Sequence, residues 1–471
     1  MTDLPKLPTF HPLPLVVPSH KLLNWLLISF SKLDAITSIH HFNLFLTKCN
    51  MGQLVAYTIS YIQQHLRLPE QEQQHYWQPV TDQDVYLWLA IEILVNLIGV
   101  TPEWYWMKNG VFLPKDGLLP AAYLGKVCFQ EICHFTYVSQ YNSPIETPKG
   151  PPCSHSEVDI ELEQLQFFPL QYWVPGSNVV IDQAMNLFTG RSIHITKMAK
   201  KPISPEYKFV CSARKGYVWE FNPSSNAVGW VPVDVVSCLS LLTDTGKIVH
   251  HLIRCLHQSY QKLSFNVYMY NISQNQHLQA EFHVIGIGVC GTCRQQFWGC
   301  PKELKIGKNA KLTYYFHCGA VNYSVATLLL MVSSPVTMMS TINPLSGGED
   351  SLVLSVRQHP GNKTTNASGA NSTFLSAECQ NELDIPVIVD TYNQHKVGVD
   401  VADLYWTYFD TQLISRWNWY PLFNWILEYW WKYKSTIGCT MPTHSSQQAC
   451  CGLLRKAQYN VVYSQFTEIF V

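Results

Sequence analysis

The sequence predicts an α/β protein in which a mixed sheet is flanked by helices and preceded by a helical region. Strand signals, which are short runs rich in β-branched and aromatic residues, occur at residues 207–211, 217–221, 264–270, 284–289 and 386–390. Helical periodicity appears between and after them, at residues 247–256 and 276–282. Because strands that alternate with helices pack as layers, this order predicts a sheet covered by helices.

The two ends of the chain have helical rather than strand-like periodicity. Apolar residues recur at three-to-four spacing between about Lys21 and Phe135, and Thr81 is placed to cap a helix start. From Val399 onward the pattern is again helical, with a dense aromatic run from Trp417 to Trp431. That run could stack on nucleic-acid bases, but its helical spacing favours a surface that faces the core.

Composition limits the classes of function. The chain has 471 residues, enough for two or three domains, and its net charge is −1. Charged residues make up 14%, below the roughly one quarter typical of soluble proteins. Affinity for DNA would therefore depend on local basic patches. The 15 cysteines form no small-domain disulfide framework, and no signal peptide precedes them. We expect a soluble nuclear or intracellular protein without a membrane partner.

Three acids are candidates for metal-dependent chemistry. Asp400 and Asp403 are three residues apart on a predicted helix, so both face one side. Asp182 ends the strand signal that begins at Asn178. Phosphoryl transfer on DNA uses carboxylates from different elements around two divalent ions, about 4 Å apart. Taken alone, however, an acid at a strand end is more often a turn or cap residue.

The segments around these acids resemble piggyBac-type transposases. The run from Tyr392 to Asp403 is similar to the family's last catalytic segment, and the run from Pro175 to Ser192 is similar to its first. The similar segments follow the family's order and lie at residues 175–192, 197–203, 242–246, 335–341 and 392–403. Together they cover roughly residues 172–433.

The resemblance implies an RNase H-like core interrupted by a β-rich insertion, and an N-terminal helical domain for DNA binding and dimerisation. The implied division is a disordered arm at 1–20, the helical domain at 21–171, the core at 172–294 and 386–434, the insertion with its mobile loop at 295–385, and a C-terminal helical segment at 435–471. The cysteines of that last segment lack the paired framework of a zinc domain.

The resemblance also implies the site residues and their departures. Asp182, Asp400 and Asp403 would be the catalytic residues and the ligands of Mg²⁺. The family's second catalytic aspartate is replaced by Tyr270, and Gln183 stands where an acid usually follows the first. Val397 replaces the first glycine of the family's glycine pair before Asp400. A phenol with an unperturbed pKa near 10 stays protonated at neutral pH and is a poor Mg²⁺ ligand.

These residues predict a piggyBac transposase-derived protein that binds double-stranded DNA resembling transposon ends, weakly, as a possible homodimer. Loss of the second acid predicts that cut-and-paste activity is absent and that Mg²⁺ binding is weakened. One alternative is an active DDE-type transposase with a variant metal site. Another is a protein-interaction module that keeps only the fold.

The cysteines offer a second candidate metal site. Cys290 and Cys293 form a Cys-x-x-Cys pair that could hold zinc with Cys300, His317 and Cys318. Since no second such pair exists, buried thiols are the preferred interpretation. His250 and His251 are expected to be ordinary surface or core histidines.

Overall fold

The computed structural model describes only part of the chain. The described residues are 47–65, 79–98, 102–107, 123–138, 175–188, 190, 192, 195, 206–214, 216–224, 242–259, 265–270, 276–294, 316–320, 326–331, 335–343, 352–358, 380–408 and 419–428. The predicted arm at 1–20 and the C-terminal segment at 435–471 lie outside them. The division into domains stays a prediction.

The N-terminal part is helical, as its periodicity predicts. It contains α1 (Lys48–His65), α2 (Asp82–Ile98), a 3₁₀ helix (Pro102–Trp106) and α3 (Lys126–Phe135). Thr81 caps α2 as expected. Its hydroxyl accepts a hydrogen bond from the Asp84 amide at 3.2 Å, and the Asp84 carboxylate accepts one from the Thr81 amide at 2.9 Å. This reciprocal arrangement satisfies two backbone donors at the helix start.

Ten strands lie in the described part of the chain. They are β1 (Asn178–Leu187), β2 (Glu206–Arg214), β3 (Tyr217–Ser224), β4 (Asn266–Met269), β5 (Gly288–Cys293), β6 (Phe316–Ala320), β7 (Ala326–Met331), β8 (Pro335–Ser340), β9 (Leu352–Gln358) and β10 (Gln380–Pro386). Eight of them form one sheet in the order β3-β2-β1-β4-β5-β8-β7-β6, and β9 pairs with β10. The strands β1, β4 and β5 are parallel, whereas β2 pairs antiparallel with β1, and β3 pairs antiparallel with β2. This order confirms the RNase H-like fold.

Helices cover both faces of the sheet. The remaining helices are α4 (Asp244–Ser259), α5 (Gln276–Val284), α6 (Val387–His395), α7 (Gly398–Tyr408) and α8 (residues 420–428). On one face, the Trp425 ring of α8 stacks on Phe209 of β2, with ring centroids 4.3 Å apart, and α7 packs across β1, β2 and β3. The helix α4 packs on β2 and β3 from the opposite face. The core is therefore two layers of side chains around one sheet.

The N-terminal helices pack against α8 through a buried polar group. Glu92 of α2 accepts a hydrogen bond from the Cys133 thiol at 3.3 Å, and the Trp88 ring stacks near Phe423 at 6.3 Å. Burial raises the pKa of Glu92 to about 7, although hydrogen bonds from Cys133 and Tyr420 oppose the rise. The described part of the aromatic run, 419–428, is buried, so the core interpretation of that run is confirmed there.

Several element boundaries predicted from sequence were wrong. Asp182 does not end its strand, because β1 continues beside β2 as far as Leu187. The strand-like run at 386–390 begins α6, whose apolar residues are buried on one side. Residues 284–287 end α5 instead of starting a strand, since Gly286 adopts a φ of 80° that closes the helix. The predicted loop at 346–383 contains β9 and the start of β10, which pair with each other.

Candidate active site

Asp182 lies in the middle of β1 on the face covered by α7. It pairs across the sheet with Cys211, and it is half-buried. Its Oδ1 atom accepts a hydrogen bond from the Gln183 amide at 2.8 Å. Because Cys211 pairs in turn with Phe221, which meets Trp425, this carboxylate shares its face of the sheet with α8.

Tyr270 is the first residue after β4, the strand that pairs in parallel with β1. The parallel pairing of β1 with β4 ends at Ile181 and Met269, one residue before Asp182 and Tyr270. The Tyr270 side chain is 54% exposed. In addition to burial, the charges of Asp182 and Tyr270 both raise the pKa of Tyr392 in α6, so the two groups lie close to one side chain.

The helix α7 brings Asp403 toward Asp182. Asp400 is exposed near the helix start, whereas Asp403 is half-buried one turn later. Burial raises the pKa of the Cys211 thiol well above its usual value, and the charges of Asp403 and Asp182 raise it further. Both carboxylates therefore lie near one buried thiol, that of Cys211 on β2.

The position of α7 is fixed by the β2–β3 turn. Gly216 adopts a φ of 87°, a left-handed conformation that side-chain-bearing residues rarely take. Its amide donates a hydrogen bond to the Gly398 carbonyl at 3.0 Å. The tight turn thus contacts the backbone two residues before Asp400, which positions the start of α7 over the sheet.

The helix α6 supplies a residue that sequence analysis did not assign to the site. Burial raises the pKa of Tyr392 above its usual value, and interactions with Asp182 and Tyr270 raise it further. Nearby, the Asn178 amide contacts the His395 ring at 3.2 Å and accepts a hydrogen bond from Asn266 at 3.3 Å. The only signal for Tyr392 in the sequence was its place at the start of the family-like segment.

The three acids do not form a compact set of ligands for one ion. Among the described residues, Asp182, Asp400 and Asp403 do not form a group of three whose ligand atoms all lie within 4.8 Å of one another. Glu281 does not compensate for Tyr270, because its Oε1 atom contacts His250 Nε2 of α4 at 3.0 Å. The oxygen donors suit a hard cation such as Mg²⁺, but the phenol at 270 does not.

Cys290 and Cys293 do not converge as a zinc pair. Both are buried in β5, where residues three apart point to opposite faces of the sheet. The preferred interpretation as buried thiols therefore agrees with the structure. His250 is likewise a buried core histidine, packed on the Phe282 ring with centroids 5.6 Å apart.

Comparison with known proteins identifies the family. The sequence profile of the family described as transposase IS4, of the DDE class, matches residues 37–429. The chain is a piggyBac-type member of this transposase family. DDE transposases generally use a divalent metal ion.

A solved structure supports the assignment of the fold. It is a piggyBac transposase determined by cryo-EM in a synaptic complex with hairpin DNA. The two chains are 13% identical with a TM-score of 0.66, and the match covers 93% of this chain and 81% of the other. No curated protein sequence matches the chain. Within the described residues, no helix is long and apolar enough to cross a bilayer.

Proposed function

We propose that this piggyBac-type protein binds double-stranded DNA but does not cut and paste it. The observation that supports the proposal is the parallel pairing of β1 with β4, which ends at Ile181 and Met269, one residue before Asp182 and Tyr270. A second carboxylate would be needed at position 270. A protonated phenol contributes no charge to balance two divalent ions. The site would then bind Mg²⁺ weakly through Asp182, Asp400 and Asp403.

The environment of the acids supports weak binding. Asp400 is exposed and Asp403 is half-buried, and the three carboxylates form no compact ligand group. Without a cation, neighbouring carboxylates repel one another and disfavour a close cluster. A site built this way could still accept DNA, because contacts to the phosphate backbone come from basic side chains and helix ends elsewhere.

The DNA partner is proposed from the family and from the matched piggyBac transposase, which was solved with hairpin DNA. The near-neutral charge of this chain predicts an affinity that is modest and depends on local patches. A DNA-binding role would place the protein in the nucleus. Homodimer formation, which would join two DNA ends, is testable by light scattering with and without DNA.

The first experiment measures cleavage. The purified chain, incubated with Mg²⁺ or Mn²⁺ and end sequences from its own genome, is expected to leave the DNA intact while a mobility shift shows binding. Cleavage that Asp182→Ala abolishes would contradict the proposal and favour an active enzyme with a variant site. Absence of any DNA binding would favour a protein-interaction module instead.

The second experiment measures metal affinity by calorimetry. Tyr270→Asp adds a carboxylate beside Asp182 and is expected to tighten Mg²⁺ binding, since hard cations follow oxygen charge. Tyr270→Asn is the matched control, because it has the same size as aspartate but no charge. Equal Mg²⁺ affinity in all three proteins would mean that position 270 does not face the site. Transposition is not expected to return, because Gln183 and Val397 also depart from the family pattern.

A further inference from the structure

A second cluster of metal-binding residue types lies on the other face of the sheet. Glu220 of β3 and His251 and Cys255 of α4 each offer a ligand atom, and these atoms all lie within 4.8 Å of one another. His251 Nε2 and the Cys255 sulfur are 3.6 Å apart. Histidine and cysteine four residues apart project from the same side of a helix, and here that side faces β3.

The cluster and the aspartates lie on opposite faces of the sheet. Glu220 pairs with Ser212, whereas Phe221 pairs with Cys211, the neighbour of Asp182. Consecutive residues of a strand point to opposite faces. The sheet therefore lies between this cluster and the aspartates. An ion bound at Glu220 would not contact Asp182.

Glu220 has an oxygen atom available inside the cluster. The side chain is 3% exposed, and its Oε2 atom is buried without a hydrogen-bond partner. Burial raises the pKa of Glu220 to about 8, and a hydrogen bond from the Cys255 thiol only partly opposes this. Buried polar atoms are normally hydrogen-bonded, so the unpaired Oε2 atom indicates a missing partner, and a cation bound there would displace the proton of the acid.

The donor set selects a class of metal. One imidazole nitrogen, one sulfur and one carboxylate oxygen suit a borderline transition ion such as Zn²⁺, which is bound tetrahedrally by these three types. Mg²⁺ prefers oxygen ligands alone. Burial lowers the pKa of His251, as does the adjacent His250, so its ring is neutral and able to coordinate. His251 and Cys255 are half-buried, which leaves room for water as a fourth ligand.

We propose that Glu220, His251 and Cys255 form a Zn²⁺ site that fixes α4 against β3. The ion would bridge a strand and a helix through three side chains, with water in the fourth position. The ion would take no part in chemistry at Asp182, because it lies on the opposite face of the sheet. Binding to the folded chain alone stabilises the fold by mass action.

The test uses Co²⁺ as a spectroscopic probe of the full chain. Titration is expected to give one equivalent of Co²⁺ with a sulfur-to-cobalt charge-transfer band that Zn²⁺ displaces, and Zn²⁺ should raise the melting temperature. Cys255→Ala should abolish the band and weaken Zn²⁺ binding by more than about tenfold. His251→Gln should weaken it similarly. The matched control is His250→Gln, which changes the neighbouring histidine that contacts Glu281 instead.

Three results would overturn the proposed Zn²⁺ site. A thiolate band that survives Cys255→Ala would place the metal at another cysteine and overturn the proposal. The same holds if His250→Gln and His251→Gln weaken Zn²⁺ equally, or if no band appears in the wild-type chain. Should Cys255→Ala fail to fold, Cys255→Ser keeps the volume and must still lose the band.

Discussion

The two faces of the central sheet each carry acids, but in opposite environments. On the α7 face, Asp182 is half-buried and Asp400 exposed, and the neighbouring strand supplies a phenol. On the α4 face, Glu220 is almost fully buried and lies with an imidazole and a thiol. The first set suits a hard cation but lacks a carboxylate, whereas the second suits a softer ion and is compact. One sheet thus separates the candidate active site from a candidate metal site.

Removal of the Trp425 side chain, which packs on the α7 face of the sheet, should have the largest effect on stability. Trp425 is buried against Phe209, Phe221 and Trp406, with ring centroids 4.3, 4.9 and 5.1 Å away. Trp425→Ala should lower the free energy of unfolding by about 3–5 kcal/mol, because it leaves a cavity in the core. Chemical denaturation measures this change.

A matched variant separates packing from a general loss of tryptophan. Trp104 is 48% exposed, and Trp104→Ala should change stability by less than about 0.5 kcal/mol. Below its melting temperature, Trp425→Ala should keep the Co²⁺ band on the α4 face. Loss of that band in a folded sample would show that the two faces are not independent.

The buried acid Glu92 of α2 should make the stability of the protein depend on pH. The raised pKa of Glu92, about 7, lies above the unfolded value near 4.5. The stabilisation by protonated Glu92 is fully present below pH 4.5 and is lost as the pH rises through 7. The free energy of unfolding of the wild type should therefore fall relative to that of Glu92→Gln by up to about 3 kcal/mol. Thermal unfolding across that window tests this. A difference that is constant with pH would contradict the assignment.

Neutralising Asp182 should have the smallest effect on stability. Asp182→Asn keeps an oxygen that can accept from the Gln183 amide, and it removes one of the two carboxylate charges near the buried Cys211 thiol. The free energy of unfolding should change by less than about 1 kcal/mol, toward stabilisation. Denaturant titration measures it. A loss of several kcal/mol would mean that Asp182 holds the fold together and does not belong to an active-site remnant.

Local patterns predicted the class of fold, and tertiary pairing set the boundaries. The capping pair Thr81 and Asp84 and the alternating strand signals depend on neighbours in sequence, so they were visible without a structure. The run at 386–390 has β-branched residues typical of a strand, yet burial of one side against the sheet makes it a helix. Strand ends such as that of β1 were wrong because partner strands decide them.

The sequence by itself determined membership of the family, and it predicted the three aspartates as site residues and Tyr270 as the departure from the family pattern. Only the tertiary structure decided which of these residues share a face, because register between β1 and β4 arises from contacts far apart in sequence. The same is true of Glu220, His251 and Cys255. His251 and Cys255 have a visible four-residue spacing, but their acidic partner lies 31 residues before His251 and is joined to them only by packing of α4 on β3.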